Sequence, residues 1–160
     1  MASRMQWRRG IRLATVLVIG AALSACSSSK TAPAASGGTA ATPAAAHSDV
    51  AVTLKEFGVV ATPASALAGH VTFAVQNAGA IPHEFVVVKS DLAPDALPQV
   101  NQKLVDVAQV RVVAKTEPFD SGKKQELTAE LQPGRYVLLC NVASHYISGM
   151  YTAFEVTGPR

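Results

Sequence analysis

Between residues 50 and 157, short apolar stretches rich in Val, Phe, Tyr and Thr recur between breaks containing Gly, Pro or Asp, and this rhythm constrains the fold class more than any other feature. The stretches are 50–54, 57–61, 70–76, 83–89, 109–115, 124–131, 135–141 and 150–157. Each is too short and too β-branched to favour a helix. Ala68-Gly69, Asn77-Ala78-Gly79, Ser121-Gly122 and Pro133-Gly134 supply turns between them. About eight strands at this spacing predict an all-β sandwich or barrel. One segment departs from the pattern. Leu97, Val100, Leu104 and Val107 recur at spacings of three, four and three, which fits either a short amphipathic helix or an irregular loop lying over the sandwich.

The first 48 residues have a different character. Arg4, Arg8, Arg9 and Arg12 precede the apolar run Leu13 to Leu23, which is too short to span a bilayer comfortably, and small residues follow. Residues 1–25 are therefore expected to be an export signal. The sequence Leu23-Ser24-Ala25-Cys26 resembles the lipobox of bacterial lipoproteins, which implies cleavage before Cys26 and a lipid on its thiol. Residues 26–48, mostly Ser, Ala, Gly, Pro and Thr, cannot bury enough surface to offset their ordering entropy and are expected to form a disordered tether. Such a tether has a typical end-to-end distance of about 25 Å. The folded domain is then 49–160. Removing the four arginines of the signal leaves ten basic against eleven acidic residues, so nucleic acid is an unfavourable partner despite the whole-chain pI of about 9.0.

Cysteine usage gives the next step. Cys26 and Cys140 are the only two, and with the first lipidated no disulfide can form within the mature chain. A lone thiol exported to an oxidising compartment must be buried, reactive by design or bound to a metal. Around it the chain reads Cys140-x4-His145-x4-Met150, with a strand before the cysteine and another opening at the methionine. With four histidines and three methionines in 160 residues, the two required offsets are met by composition alone roughly once in two thousand. Upstream, His83 begins the stretch His83-Glu84-Phe85-Val86-Val87-Val88, and strand parity places it on one face with Phe85 and Val87. Taken singly, a cysteine, methionine or histidine is more often a packing residue. Together, a thiolate, two imidazoles and a thioether suit copper cycling between two oxidation states. Zinc favours closed His and Cys tetrahedra and rarely recruits methionine.

With this ligand order, residues 50–157 resemble the cupredoxins, the small blue-copper proteins. The loop spacing is most similar to that of rusticyanin and auracyanin, and Leu131-Gln132-Pro133-Gly134-Arg135-Tyr136 before the cysteine strand also resembles the family. The resemblance implies a Greek-key β-sandwich with one copper ion at one end. It also implies His83, Cys140, His145 and Met150 as ligands, with single-electron transfer as the activity. It further implies backbone N–H donors to the thiolate from Glu84 and Val142, and an electron port at His145 within an apolar patch of Ala80, Ile81, Pro82, Tyr146 and Ile147. Redox proteins docking near His145 are the expected partners, and a monomer is the expected state. The Glu84 side chain is expected to face solvent, and Asn77 to serve the turn before the ligand stretch. His47, in the tether, and His70, on a strand, are not assigned to copper.

The alternative role is copper storage or delivery by the same ligands. No Ser-His-Asp, phosphate-loop or paired-carboxylate pattern stands out, and a second copper centre would need more histidines, so an enzyme is not expected. The protein is expected to be exported and held by its lipid on the outer face of the cytoplasmic membrane or on the outer membrane, facing the periplasm or the exterior.

Overall fold

The structure is a computed structural model that describes residues 46–158. The signal, Cys26 and all of the expected tether up to residue 45 lie outside the described residues. Two sheets form. The first contains β1 (Ala46–Lys55), β2 (Gly58–Thr62), β4 (Gly69–Asn77) and β9 (Lys124–Leu131), in the order β2-β1-β4-β9. The second contains β3 (Ser65–Leu67), β5 (Val86–Lys89), β8 (Arg111–Lys115), β10 (Gly134–Leu139) and β11 (Tyr151–Thr157), in the order β3-β11-β10-β5-β8. β1 pairs parallel with β4, and β3 parallel with β11, while the other pairings within the sheets are antiparallel. The chain crosses repeatedly between the sheets, giving the expected all-β Greek-key sandwich.

All eight stretches read from the sequence become strands, with differences at their ends. β1 opens at Ala46, so His47 and Ser48 belong to a strand that runs in register with β4, with His47 opposite His70. The 83–89 stretch is regular only from Val86. His83 instead forms an isolated bridge with Phe119, its N–H donating to the Phe119 carbonyl at 3.2 Å and its carbonyl accepting the Phe119 N–H at 2.9 Å. The 97–107 segment is the loop rather than the helix. It folds into a two-stranded hairpin of β6 (Gln99–Val100) and β7 (Leu104–Val105). Its spacing of three and four reflects chance more than a helical face, because Val100 and Val107 are exposed while Leu97 and Val105 are buried.

Alternation explains the first sheet. Val50, Val52 and Leu54 of β1 and Val71, Phe73 and Val75 of β4 point inward, and intervening residues such as His70 and Ala74 face solvent. The second sheet follows a different rule, because Val86-Val87-Val88 and Tyr136-Val137-Leu138-Leu139 are buried without alternation. Phe85, Val87, Tyr136 and Leu138 face the first sheet. Val86, Val88, Val137 and Leu139 face outward against Leu97, Val105 and Tyr146, contributed by the 97–107 loop and the segment after Cys140. Central strands covered on both faces read as continuous apolar runs. At the centre of the sandwich, Phe73 packs edge-on to Phe154 with ring centroids 5.6 Å apart and lies 5.3 Å from Phe85.

Because Phe73 is fully buried and bridges the sheets, Phe73→Ala is expected to destabilise the domain by about 3–5 kcal/mol, read as a lower midpoint of denaturant unfolding. A midpoint within error of the parent protein would show that this aromatic cluster does not hold the sheets together.

Candidate metal centre

Two structural devices bring the sequence-selected donors to one end of the sandwich. The first is the end of the β10–β11 ladder. Leu139 pairs with Tyr151, and one step further the Cys140 N–H donates to the Met150 carbonyl at 3.0 Å. The nine residues between them must therefore turn back within a closed loop. They do so through a single 3₁₀ turn, Tyr146–Ser148, with Ser144 (φ 71°) and Gly149 (φ 99°) in the left-handed region that reverses the chain. The Met150 N–H returns to the His145 carbonyl at 3.1 Å. A β-carbon at Gly149 would lie 3.3 Å from the Phe57 carbonyl oxygen, so the loop packs closely on the β1–β2 turn.

Outside contacts brace this loop. Asn141 takes the Val105 N–H on its side-chain oxygen at 2.8 Å, and Ser144 N–H donates to the Lys103 carbonyl at 2.8 Å. The Tyr146 hydroxyl donates to the Pro94 carbonyl at 2.7 Å and accepts the Leu97 N–H at 3.0 Å. These bonds satisfy polar groups that burial would otherwise leave costly.

The second device places His83. Asn77 is fully buried, and its amide nitrogen donates to the carbonyls of Ile81 and Phe119, each at 2.9 Å, while its oxygen accepts the Gly79 N–H at 3.0 Å. Asn77 thus serves the turn before the ligand stretch, as its sequence position suggested. It ties that turn to Phe119, the residue that bridges His83.

The result is a compact donor cluster. His83 Nδ1 lies 3.8 Å from Cys140 Sγ, His145 Nδ1 lies 3.4 Å from Cys140 Sγ, and the two Nδ1 atoms are 3.1 Å apart. All three donors fall within 4.8 Å of one another, the only such His, Cys, Asp or Glu group among the described residues. Met150, buried, lines a cleft of roughly 100 Å³ together with His83, His145, Glu56, Phe57, Ile81 and Ser148. The mutual distances match groups drawn toward one shared cation, and the mixed soft and imidazole donors fit copper.

The electrostatics favour metal-ready forms of the imidazoles. Burial, and then the neighbouring His145, push His83 below the ordinary histidine value, and burial does the same for His145. Neutral rings carry the lone pairs a metal needs. Burial raises the Cys140 thiol, opposed by N–H donors from Val142 and Glu84. The Glu84 N–H lies 3.4 Å from Sγ. Of the two backbone positions named from the sequence, Glu84 thus directs its N–H at the sulfur. The Glu84 side chain does not face solvent as expected. It is nearly buried, burial raises its carboxyl, and Lys115 Nζ lies 3.4 Å away.

His145 is partly exposed at the mouth of the cleft. Around it Ile81 (43%) and Ile147 (50%) are exposed, and Ala80 and Pro82 are also exposed, whereas Tyr146 is 1% exposed and belongs to the interior. Phe57, 75% exposed in a left-handed turn conformation (φ 67°), extends the apolar rim. Sequence reasoning missed Phe57 and Glu56 because both sit in the β1–β2 turn, far along the chain from every donor. His47 and His70 lie outside the cluster, on exposed strand faces beside Asp49 and Glu130.

Comparison with known proteins places this arrangement. The family model for the sulfocyanin (SoxE) domain matches residues 59–159, most of the chain. The chain belongs to the sulfocyanin family. It is therefore a cupredoxin, as the resemblance of its ligand stretch implied, its cofactor is one copper ion, and its broad role is electron transfer. Among solved structures it is similar to reduced auracyanin from Roseiflexus castenholzii, with TM-score 0.50 and 21% identity over 69% of this chain and 96% of that one. It is also similar to auracyanin B, with TM-score 0.51 and 20% identity over 71% and 91% of the two chains. At these identities the likeness bears on the fold alone. No curated protein sequence matches significantly.

Burial of Cys140 in the sulfocyanin fold has a measurable consequence. In metal-free folded protein its thiol is expected to react with a thiol-disulfide reagent at least about tenfold more slowly than in denaturant, because attack requires an exposed thiolate. Equal rates under both conditions would contradict the buried placement.

Proposed function

We propose that the protein is a membrane-tethered single-electron carrier in which His83, Cys140, His145 and Met150 hold the copper. The observation that carries this reading is the convergence of two Nδ1 atoms and one sulfur within 4.8 Å, with Met150 lining the same cleft. Bound there, copper would supply a one-electron couple between its cuprous and cupric states. The protein contributes everything else. Cys140 supplies the thiolate, His83 and His145 the imidazoles, and Met150 a weak thioether. The hydrogen-bonded loop holds three of these groups and the Asn77 turn with the Phe119 bridge holds His83, so gain or loss of an electron need not move them far, which keeps the reorganisation cost low. The N–H groups of Glu84 and Val142 withdraw charge from the sulfur and tune the potential.

His145 is the proposed electron port. Its partly exposed ring opens onto a rim of Phe57, Ile81 and Ile147, which suits brief apolar docking by redox proteins with little dependence on salt. Cys26 is the proposed lipid anchor, with residues 27–45 as the leash. This would confine the domain to a membrane surface outside the cytoplasm, within reach of membrane-bound partners. We read the protein as a carrier and not an enzyme.

Visible and paramagnetic resonance spectra of copper-loaded domain test the ligand set. An intense thiolate-to-copper band is expected; Cys140→Ser should abolish it, and Met150→Leu should keep it while shifting the potential. A colourless wild-type complex would refute the assignment. Val142→Pro, which removes one N–H donor from the sulfur, is expected to raise the reduction potential in voltammetry, and an unchanged or lower value would contradict the tuning role. Cys26→Ala should move the protein from the membrane to the soluble fraction; retention in the membrane would rule out lipidation as the anchor.

A further inference from the structure

His83 has two ring nitrogens with opposite surroundings. Nδ1 faces Cys140 and His145, whereas Nε2 is the only buried side-chain nitrogen or oxygen among the described residues without a hydrogen-bond partner. An imidazole that gives Nδ1 to a metal carries its proton on Nε2, and that N–H needs an acceptor. One group is in place to accept it. Glu56 Oε1 lies 3.7 Å from Nε2, close enough that a small rotation of the carboxylate makes a hydrogen bond.

Two further features show that this approach is built into the fold. The Ala80 and Ile81 N–H groups donate to Glu56 Oε1 at 2.6 and 3.2 Å, holding the carboxylate beside Nε2 and leaving Oε2 without a backbone donor. Gly79 supplies the space. A β-carbon there would stand 2.6 Å from His83 Nε2 and 2.7 Å from Glu56 Oε1, so any other residue would wedge the two apart.

Resting on the copper reading above, we propose that Glu56 is the positioning residue of His83: its carboxylate accepts the Nε2–H and fixes the tautomer that presents Nδ1 to the metal. The anion also makes the imidazole a stronger donor, which favours the cupric over the cuprous state and holds the potential down.

The test compares wild type with Glu56→Gln and Glu56→Ala. Glutamine keeps an oxygen for the Ala80 and Ile81 amides but removes the charge, so the turn stays braced. In metal-free protein, nitrogen-15 imidazole spectra should show His83 of the wild type as the Nε2–H tautomer alone and Glu56→Ala as a mixture. In copper-loaded protein, Glu56→Gln should shift the preference toward the cuprous state by roughly tenfold, about 59 mV upward for a one-electron couple. If Glu56 only braces the turn, Glu56→Ala will speed amide exchange at Ala80 and Ile81 while the His83 tautomer and the Glu56→Gln potential stay as in wild type. That result overturns the proposal. Absence of a thiolate-to-copper band in wild type would sink the copper reading instead, and the metal-free tautomer measurement would still decide the role of Glu56.

Discussion

The site depends on one backbone hydrogen bond, from the Cys140 N–H to the Met150 carbonyl at 3.0 Å. It extends the β10–β11 ladder one rung beyond its regular strands and so fixes both ends of the loop that carries three of the four proposed ligands. With its ends pinned, the loop has few ways to close, and the left-handed residues Ser144 and Gly149 choose among them. Spacing in the sequence thus becomes spacing in space. A shorter or longer segment between cysteine and methionine would still join the same two strands but would carry His145 to a different place.

Rigidity comes from outside the loop. The second sheet is packed on both faces, and the 97–107 segment that covers its outer face also supplies the partners of Asn141 and Tyr146. On the other side, Asn77, Gly79 and Glu56 organise the approach to His83, while the Phe57 carbonyl abuts Gly149. The cluster is therefore braced by the sandwich core, by the outer loop and by the β1–β2 turn. For a carrier this matters directly, because donors that cannot relax make the two redox states similar in structure.

The strands and the donor cluster were legible in the sequence because both obey local rules. Strand parity, turn residues and the Cys140-x4-His145-x4-Met150 spacing need no knowledge of distant contacts. Asn77 was readable for the same reason, since an Asn two residues before a glycine is turn chemistry. What the sequence left open or misplaced depends on tertiary placement. The 97–107 segment carries a helix-like spacing but spends its apolar residues on covering a sheet face, and no local signal distinguishes the two uses. Tyr146 follows the partly exposed His145 yet turns inward because its hydroxyl finds Pro94 and Leu97. Glu84 is drawn inward beside Lys115, 31 residues away. Glu56 and Phe57 reach the site only through the β1–β2 turn, so nothing near the donors in sequence points to them.

The central claim is that one sulfur and two imidazoles of this chain bind the same copper ion. X-ray absorption at the copper edge of the loaded, reduced domain tests it most directly, because it counts the atoms around the metal without relying on colour. The account predicts one close sulfur scatterer together with the multiple-scattering pattern of two imidazoles. A shell made only of nitrogen and oxygen, with no sulfur, would contradict it.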